Sequence, residues 1–423
     1  MHDFDYRQES LYCGDVAVEE IARKVGTPFY CYSLPTLHRH IRAFEEPLAG
    51  VDHQTCFAMK ANSCLAVLSY MAKQGLGADV VSGGELYRAL KAGIPAGKIV
   101  YSGVGKTTNE IDMAIGAGIM MFNIESEQEL EVINERAGAL GKKAPISIRV
   151  NPDVNPMTHP YISTGMKENK FGIDVEGSMT QYLRAKDMDN IEIVGIDCHI
   201  GSQLTDLSPF LDAVARLKML IERLKDHGIV FKYLDLGGGL GITYSDEEPP
   251  HPKDYCRAIL GAVGPLGLKV IFEPGRVIVG NAGILVTSVL YRKQTRDKTF
   301  VIIDAGMSDL IRPSLYGAYH DIKPLRRSNG SPRETVDVVG PICESADFLA
   351  KNRELPVLSR GDMIAVMSAG AYGFTMSSNY NSRTRPPEVL VDGSKYYVVL
   401  KRQSYEDLVS GETVPAALRG TRG

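Results

Sequence analysis

The sequence predicts a (β/α)8 TIM barrel joined to a second, mostly antiparallel β domain, and three observations carry that expectation. Eight short β-branched runs alternate with segments of helical spacing, several of those segments open on capping signals, and the alternation stops at Gly275. Beyond Gly275 the chain turns to strand-like runs with few helical periods.

The eight runs are Gln54–Ala61, Gly77–Ser82, Ile99–Gly103, Met120–Ser126, Pro145–Pro152, Ile193–Gly201, Tyr233–Gly239 and Lys269–Gly275. Each is short, apolar and bounded by turn residues, as strands are. Between them Leu65, Leu68 and Met71, or Leu211, Val214, Leu217, Leu220 and Leu224, recur on one face of a helix. Ser82 with Glu85, Thr107 with Glu110 and Ser126 with Glu129 have the Ser/Thr-x-x-Glu spacing of a capping box, in which hydroxyl and carboxylate satisfy each other's backbone N–H. The series matches the roughly 250 residues of a closed barrel better than an open doubly wound sheet. Later runs at Ile284–Tyr291, Thr299–Asp304, Met363–Met367 and Lys395–Leu400 predict the β domain, and Thr27–Ser33 is a further strand candidate. The expected division is a barrel over 30–280, with 1–29 and 281–423 forming a β-sandwich or β-barrel-like domain.

Composition narrows the function. The 423 residues carry a formal charge of −4, and no basic run with interleaved aromatics appears, so nucleic acid is not an expected partner. Seven cysteines, odd in number and without paired metal-ligand spacing, argue against a disulfide framework or a zinc site and fit a reducing cytoplasm. Met1–Ser10 is too acidic for a secretory signal, and the most apolar long segment, Val277–Tyr291, is broken by Gly280, Asn281 and Gly283, so no membrane span is expected. Small-molecule chemistry without a metal is the expected business of the chain.

In such barrels reactive groups sit where strands end. Lys60, Asp79, Arg149, His199, the Gly237-Gly238-Gly239 turn and Glu273-Pro274-Gly275-Arg276 all fall at or near those ends. The apolar neighbours of Lys60 would lower its amine pKa, as a nucleophilic lysine needs; the alternative is an exposed, solvated lysine. Successive glycines let backbone N–H groups approach a phosphate closely, or simply make a turn. Glu273, at the end of an apolar strand, requires a cation: a protonated pyridine nitrogen or an arginine. His199 suits either a flat ring stacked on a flat ligand or a satisfied buried histidine.

Phe57-Ala58-Met59-Lys60-Ala61-Asn62, His199-Ile200-Gly201-Ser202, Gly237-Gly238-Gly239 and Glu273-Pro274-Gly275-Arg276 resemble, in order and spacing, the motifs of alanine-racemase-fold decarboxylases. Within that group His159–Gly165, Lys170-Phe171-Gly172, Gly340–Ser345 and Ala369–Gly373 are similar to the diaminopimelate decarboxylase family. Ornithine and arginine decarboxylases of this fold typically have Asp where this chain has Glu344.

The resemblance implies an alanine-racemase-like architecture (fold type III) and decarboxylation of meso-diaminopimelate to L-lysine with pyridoxal 5'-phosphate. It implies that Lys60 carries the cofactor, that Glu273 partners the ring nitrogen and that His199 stacks on the ring. Asp79 and Arg149 would lie by the ring, and Ser202, Gly238, Gly239, Gly275, Arg276 and Tyr372 near the phosphate. Arg276, Arg312, Tyr316 and Tyr372 would meet the substrate's distal carboxylate, Glu344 its distal ammonium, and Cys343 would deliver a proton. It further implies a homodimer whose active sites are shared, the Cys343–Glu344 loop coming from the other subunit. Read singly, Arg312 is equally a surface arginine, Cys343 a small buried side chain and Glu344 a turn cap. The stretch 155–174, with its Pro and Gly content, is expected to form a lid. Two other readings stand beside this one: a sibling decarboxylase acting on carboxynorspermidine, D-ornithine or D-lysine, and a non-catalytic regulatory homologue, which would be expected to lack Lys60 or Cys343. A racemase of the same fold would need two opposed acid–base groups instead of a reader of distal charge.

Overall fold

The computed structural model describes residues 2–154, 170–327 and 330–419. Eight strands, His53–Ala58, Gly77–Val80, Ile99–Tyr101, Met121–Ile124, Ala144–Asn151, Ile191–Asp197, Tyr233–Asp235 and Lys269–Phe272, pair in parallel each with the next. Lys269–Phe272 then pairs with His53–Ala58 and closes the barrel. Helices Leu65–Lys73, Gly83–Lys91, Thr108–Ala117, Glu127–Ala139, Val175–Lys186, Ser208–Asp226 and Pro252–Val263 supply the crossovers. Each expected strand is present, several ending two to four residues before its expected limit. The residues beyond those strand ends lie in the βα loops, where barrels of this kind carry their reactive groups.

Two layers follow from the strand period of two. Cys56, Val100, Met121, Val194 and Ile271 form an apolar cluster separate from the large core that includes the outer helices. Above this floor stands a polar layer, where buried Asn123 donates to Ser102 at 3.2 Å and Asp235 at 3.3 Å and accepts from Ser147.

The three Ser/Thr caps are present, but only Thr107–Glu110 is a reciprocal capping box. Glu85 and Glu129 reach one residue further back, accepting from the N–H groups of Val81 and Glu125 at 2.8 and 2.9 Å. Glu129 is also engaged by buried Lys106, 23 residues before it in sequence.

The second sheet runs in the order Phe348–Pro356, Arg333–Val339, Thr299–Ile303, Gly283–Gln294, Phe29–Ser33, Glu388–Asp392, Lys395–Leu400, with Ile322–Pro324 and Met363–Val366 branching from Gly283–Gln294. All its pairs are antiparallel except Thr299–Ile303 with Arg333–Val339 and Phe29–Ser33 with Glu388–Asp392. A small antiparallel sheet, Phe4–Arg7, Ser10–Cys13 and Val16–Ala17, covers one face, and the sequence reading did not anticipate it. Phe29–Ser33 is buried throughout. Its alternate side chains serve two cores: Tyr30 and Tyr32 join the barrel cluster, Phe29 and Cys31 the cluster under the small sheet. The expected boundary at residue 30 therefore falls inside a strand of the second sheet, because this pairing extends to Ser33. Of the expected lid, residues 155–169, including the His159–Gly165 motif, lie outside the described residues. Among the described residues no helix is long and apolar enough to cross a membrane.

Candidate active site

A cavity of about 340 Å³ opens at the C-terminal ends of the barrel strands. Lys60, His199, Ser202, Gly238, Gly239, Glu273, Gly275, Arg276, Arg312, Tyr316 and Tyr372 all border it. Asp79 and Arg149 are buried beside this group: Asp79 contacts Lys60, and Arg149 donates to the His199 carbonyl at 3.4 Å.

Lys60 lies in the short turn Met59–Ala61 just past the first barrel strand, and its ammonium is paired with the fully buried Asp79. Burial alone would lower its pKa, but the Asp79 and Glu273 carboxylates outweigh burial and raise it. This reverses the expectation from the apolar neighbours in sequence, since the carboxylates arrive from the second and eighth strands.

Glu273 follows directly on the last strand. Burial pushes its carboxyl well up, with Asp235 and Asp79 adding to the shift, and Oε1 has no hydrogen-bond partner among the described residues. Burial likewise raises Asp235 to about 8, with Asp197 reinforcing it. The layer beneath the cavity is thus rich in carboxyl groups that favour their protonated form.

Burial, then Arg149 and Lys60, hold the His199 pKa well below the ordinary histidine range, so its ring is neutral. Gly238 N–H donates to its Nδ1 at 3.1 Å, which puts the ring proton on Nε2. Arg149 donates to Glu125 at 2.8 Å and lies 4.8 Å over the Phe171 ring.

The glycine turn is built for close approach. Gly237, at φ +62°, would place a Cβ 2.5 Å from His199 Nδ1, and a Cβ on Gly238 would lie 2.2 Å from the Glu273 carbonyl oxygen. Across the cavity, Tyr372 adopts φ +57°, costly for a bulky residue, and lies 4.8 Å from the Arg276 guanidinium. Its N–H donates to Ala61 O at 2.8 Å, tying it to the Lys60 turn.

Arg276 donates to Tyr244 Oη at 2.7 Å and Ser202 Oγ at 3.0 Å. Arg312, from the one-turn helix Arg312–Tyr316, is buried, not a surface residue, and donates to His320 Nε2 at 2.8 Å. Tyr244, His320 and Glu125 escaped the sequence reading, because each acts through an arginine reached only by folding. Cys343 and Glu344 are not among the residues bordering the cavity. Cys343 is exposed, its N–H bonded to Asn381 Oδ1 at 2.7 Å, so it is not a small buried side chain. Ile342 N–H donates to Asp347 at 2.6 Å, shaping the loop that presents Cys343 and Glu344 outward.

Residues 34–280 match the family model for the pyridoxal binding domain of pyridoxal-dependent decarboxylases. Diaminopimelate decarboxylase of Pseudomonas aeruginosa is 52% identical over 414 residues, covering 98% of this chain and 99% of its own. That of Haemophilus influenzae is 52% identical, covering 96% and 98%. The crystal structure of diaminopimelate decarboxylase from M. jannaschii in co-complex with L-lysine superposes with a TM-score of 0.93 at 40% identity, covering 99% of this chain and 100% of its own. The Helicobacter pylori enzyme complexed with L-lysine gives 0.90 at 44%, covering 93% and 98%. The chain belongs to the diaminopimelate decarboxylase family of pyridoxal-dependent decarboxylases.

The cavity fits a pyridoxal group on its own evidence. The partnerless Glu273 Oε1 suits a ring nitrogen, the neutral His199 ring a flat face, and the buried Arg276, which forms no ion pair among the described residues, an anionic substituent.

Proposed function

We propose that the protein decarboxylates meso-2,6-diaminopimelate, giving L-lysine and carbon dioxide. The observation that carries this reading is that Lys60, Glu273 and the buried Arg276 and Arg312 face one cavity. Pyridoxal phosphate supplies a conjugated ring that accepts the electron pair released when the carbon–carboxylate bond breaks.

Lys60 holds the cofactor covalently, and Asp79 Oδ2 stabilises a proton on its nitrogen when the amine is free. Glu273 Oε1, which has no hydrogen-bond partner among the described residues, would hold a proton towards the ring nitrogen and so keep the ring electron-poor. His199 packs on one face as a neutral ring, while Arg149, neutralised by Glu125, walls the site. Ser202, Gly238, Gly239, Gly275, Arg276 and Tyr372 surround the phosphate. At the far end of the substrate Arg276, Arg312, Tyr316 and Tyr372 meet a carboxylate, and Glu344 meets an ammonium. Paired opposite charges there distinguish diaminopimelate from amino acids bearing one distal charge. Cys343 delivers the proton that replaces the lost carboxylate.

Cys343 and Glu344 are exposed and do not border the cavity of their own chain, which supports a homodimer in which each reaches the other subunit's site. The barrel, over 30–280, carries the cofactor; 1–29 with 281–423 forms the second domain, and the Phe29–Ser33 pairing favours placing residues 29–33 there as well. The absence of any disulfide among the described cysteines is compatible with a cytoplasmic setting.

Purified protein loaded with pyridoxal phosphate is expected to release carbon dioxide from meso-diaminopimelate and form L-lysine in equal amounts. Borohydride reduction and peptide mapping are expected to find the cofactor on Lys60. Release of carbon dioxide from D-ornithine or carboxynorspermidine but not from meso-diaminopimelate would overturn the substrate assignment.

A further inference from the structure

Arginines around the cavity are held in two different ways. Arg149 has its charge matched inside the protein, by the Glu125 carboxylate at 2.8 Å. Arg276 and Arg312 are each only 6% exposed, yet among the described residues neither forms an ion pair. Their acceptors are neutral: the hydroxyls of Tyr244 and Ser202 for Arg276, and the imidazole of His320 for Arg312.

His320 is fully buried and fixed at both nitrogens. Nδ1 lies 2.8 Å from the Met367 carbonyl, which only accepts, so Nδ1 carries the proton and Nε2 presents a lone pair to Arg312. Burial, with the Arg312 charge second, pushes its pKa down to about 3, so the ring stays neutral throughout the working range. Tyr244 packs against both groups, 4.6 Å from the Arg312 guanidinium and edge-on to His320 at 5.4 Å. Glu247 also borders the cavity and feels the Arg312 charge, but it forms no ion pair with Arg312 among the described residues, its Oε2 accepting from the N–H groups of Tyr244 and Ser245 at 2.9 and 2.7 Å.

A buried guanidinium paired with a carboxylate gains little from a second anion, because its charge is already compensated. Held by a neutral acceptor, it is fixed in direction but keeps its charge, and an arriving carboxylate relieves a standing electrostatic penalty. We propose that His320 is a positioning residue for substrate recognition, a neutral acceptor that aims Arg312 into the cavity while leaving its charge for a carboxylate of the substrate. This rests on the reading of Arg312 as a carboxylate reader, and the test separates the two.

The measurement is calorimetric binding, to the pyridoxal-phosphate-loaded protein, of L-lysine and of cadaverine, the same diamine without the carboxylate. Arg312→Met is expected to weaken L-lysine by roughly tenfold to a hundredfold and leave cadaverine unchanged. His320→Glu is expected to do the same, because the new carboxylate satisfies the arginine internally; in turnover the loss falls on KM more than kcat. His320→Gln, whose amide can both donate to Met367 and accept from Arg312, is expected to keep wild-type values. A merely structural role predicts the opposite, since Glu holds an arginine at least as well as histidine does. Wild-type L-lysine affinity in His320→Glu would therefore overturn the proposal while leaving Arg312's role intact. Unchanged affinity in Arg312→Met would remove the underlying reading, and the proposal with it. Should His320→Glu fail to fold, seen as lost cadaverine binding and a lowered Tm, His320→Leu against His320→Gln carries the comparison. Selective loss of L-lysine in the leucine variant supports the proposal, and equal affinity in both overturns it.

Discussion

Around Lys60 the chemistry turns on groups that are remote in sequence. Its position was readable from the strand order, but its protonation was not: the peptide Phe57-Ala58-Met59 suggests an amine stripped of charge, whereas Asp79 holds it as an ammonium ion. The same remoteness hid Tyr244 and His320, because a residue that acts by holding another leaves no spacing signal of its own. Glu273 was conspicuous in sequence as a lone carboxylate ending an apolar strand, and it borders the cavity; its elevated pKa comes first from burial and then from the carboxylates of Asp235 and Asp79. Glu273→Gln keeps the shape and removes the exchangeable proton. It is expected to retain bound cofactor yet lower kcat by about a hundredfold or more, within the range of positioned proton transfer. Cofactor content by absorbance and carbon dioxide release, measured on the same sample, check this; full turnover would remove Glu273 from the reaction.

Among the elements, the barrel strands were readable because parallel strands buried on both faces are continuous apolar runs. The small sheet Phe4–Ala17 was not, its strands being two to four residues long and its pattern mixed with charge. Glu388, at the start of the strand beside Phe29–Ser33, accepts from Tyr32 Oη at 2.7 Å inside the core. Burial, opposed by that hydrogen bond and by Arg385, raises its pKa from 4.5 to about 7. The folded state therefore favours the protonated acid, and the sign follows. This group's contribution is fully present below pH 4.5 and is lost as pH rises towards about 7, because the unfolded chain ionises first. Glu388→Gln preserves the acceptor for Tyr32 and removes the titration. The variant is expected to gain stability relative to the parent between those limits, on the order of 3 kcal/mol at most. Urea unfolding of both proteins at pH 5 and pH 8 measures it, and a stability difference that does not change with pH would contradict the assignment.

For the whole molecule, the proposed two-fold dimer with shared sites can be tested from what the single chain leaves apart. With Lys60 in the cavity and Cys343 on an outward loop, variants damaged at each should complement one another. Lys60→Ala and Cys343→Ala, each nearly inactive alone, are expected on mixing and reassociation to recover roughly a quarter of wild-type activity, one intact site per mixed dimer. Activity equal to the average of the two separate variants would show that each chain uses its own Cys343 or none. The barrel and its mouth were readable without the rest of the chain, whereas this sharing of sites was suggested by family resemblance alone. The strand Phe29–Ser33 bears on how such a chain is made. It leaves the ribosome early, yet its neighbours in the sheet are residues 283–294 and 388–392, so it waits through synthesis of the whole barrel. During that interval Phe29 and Cys31 can pack only on the small sheet already made, neither edge of the strand is paired, and such a segment invites pairing with another nascent chain. A polypeptide arrested before Glu388 still lacks one of the two neighbours, so protection of this segment is completed only after the barrel and most of the second sheet have been translated.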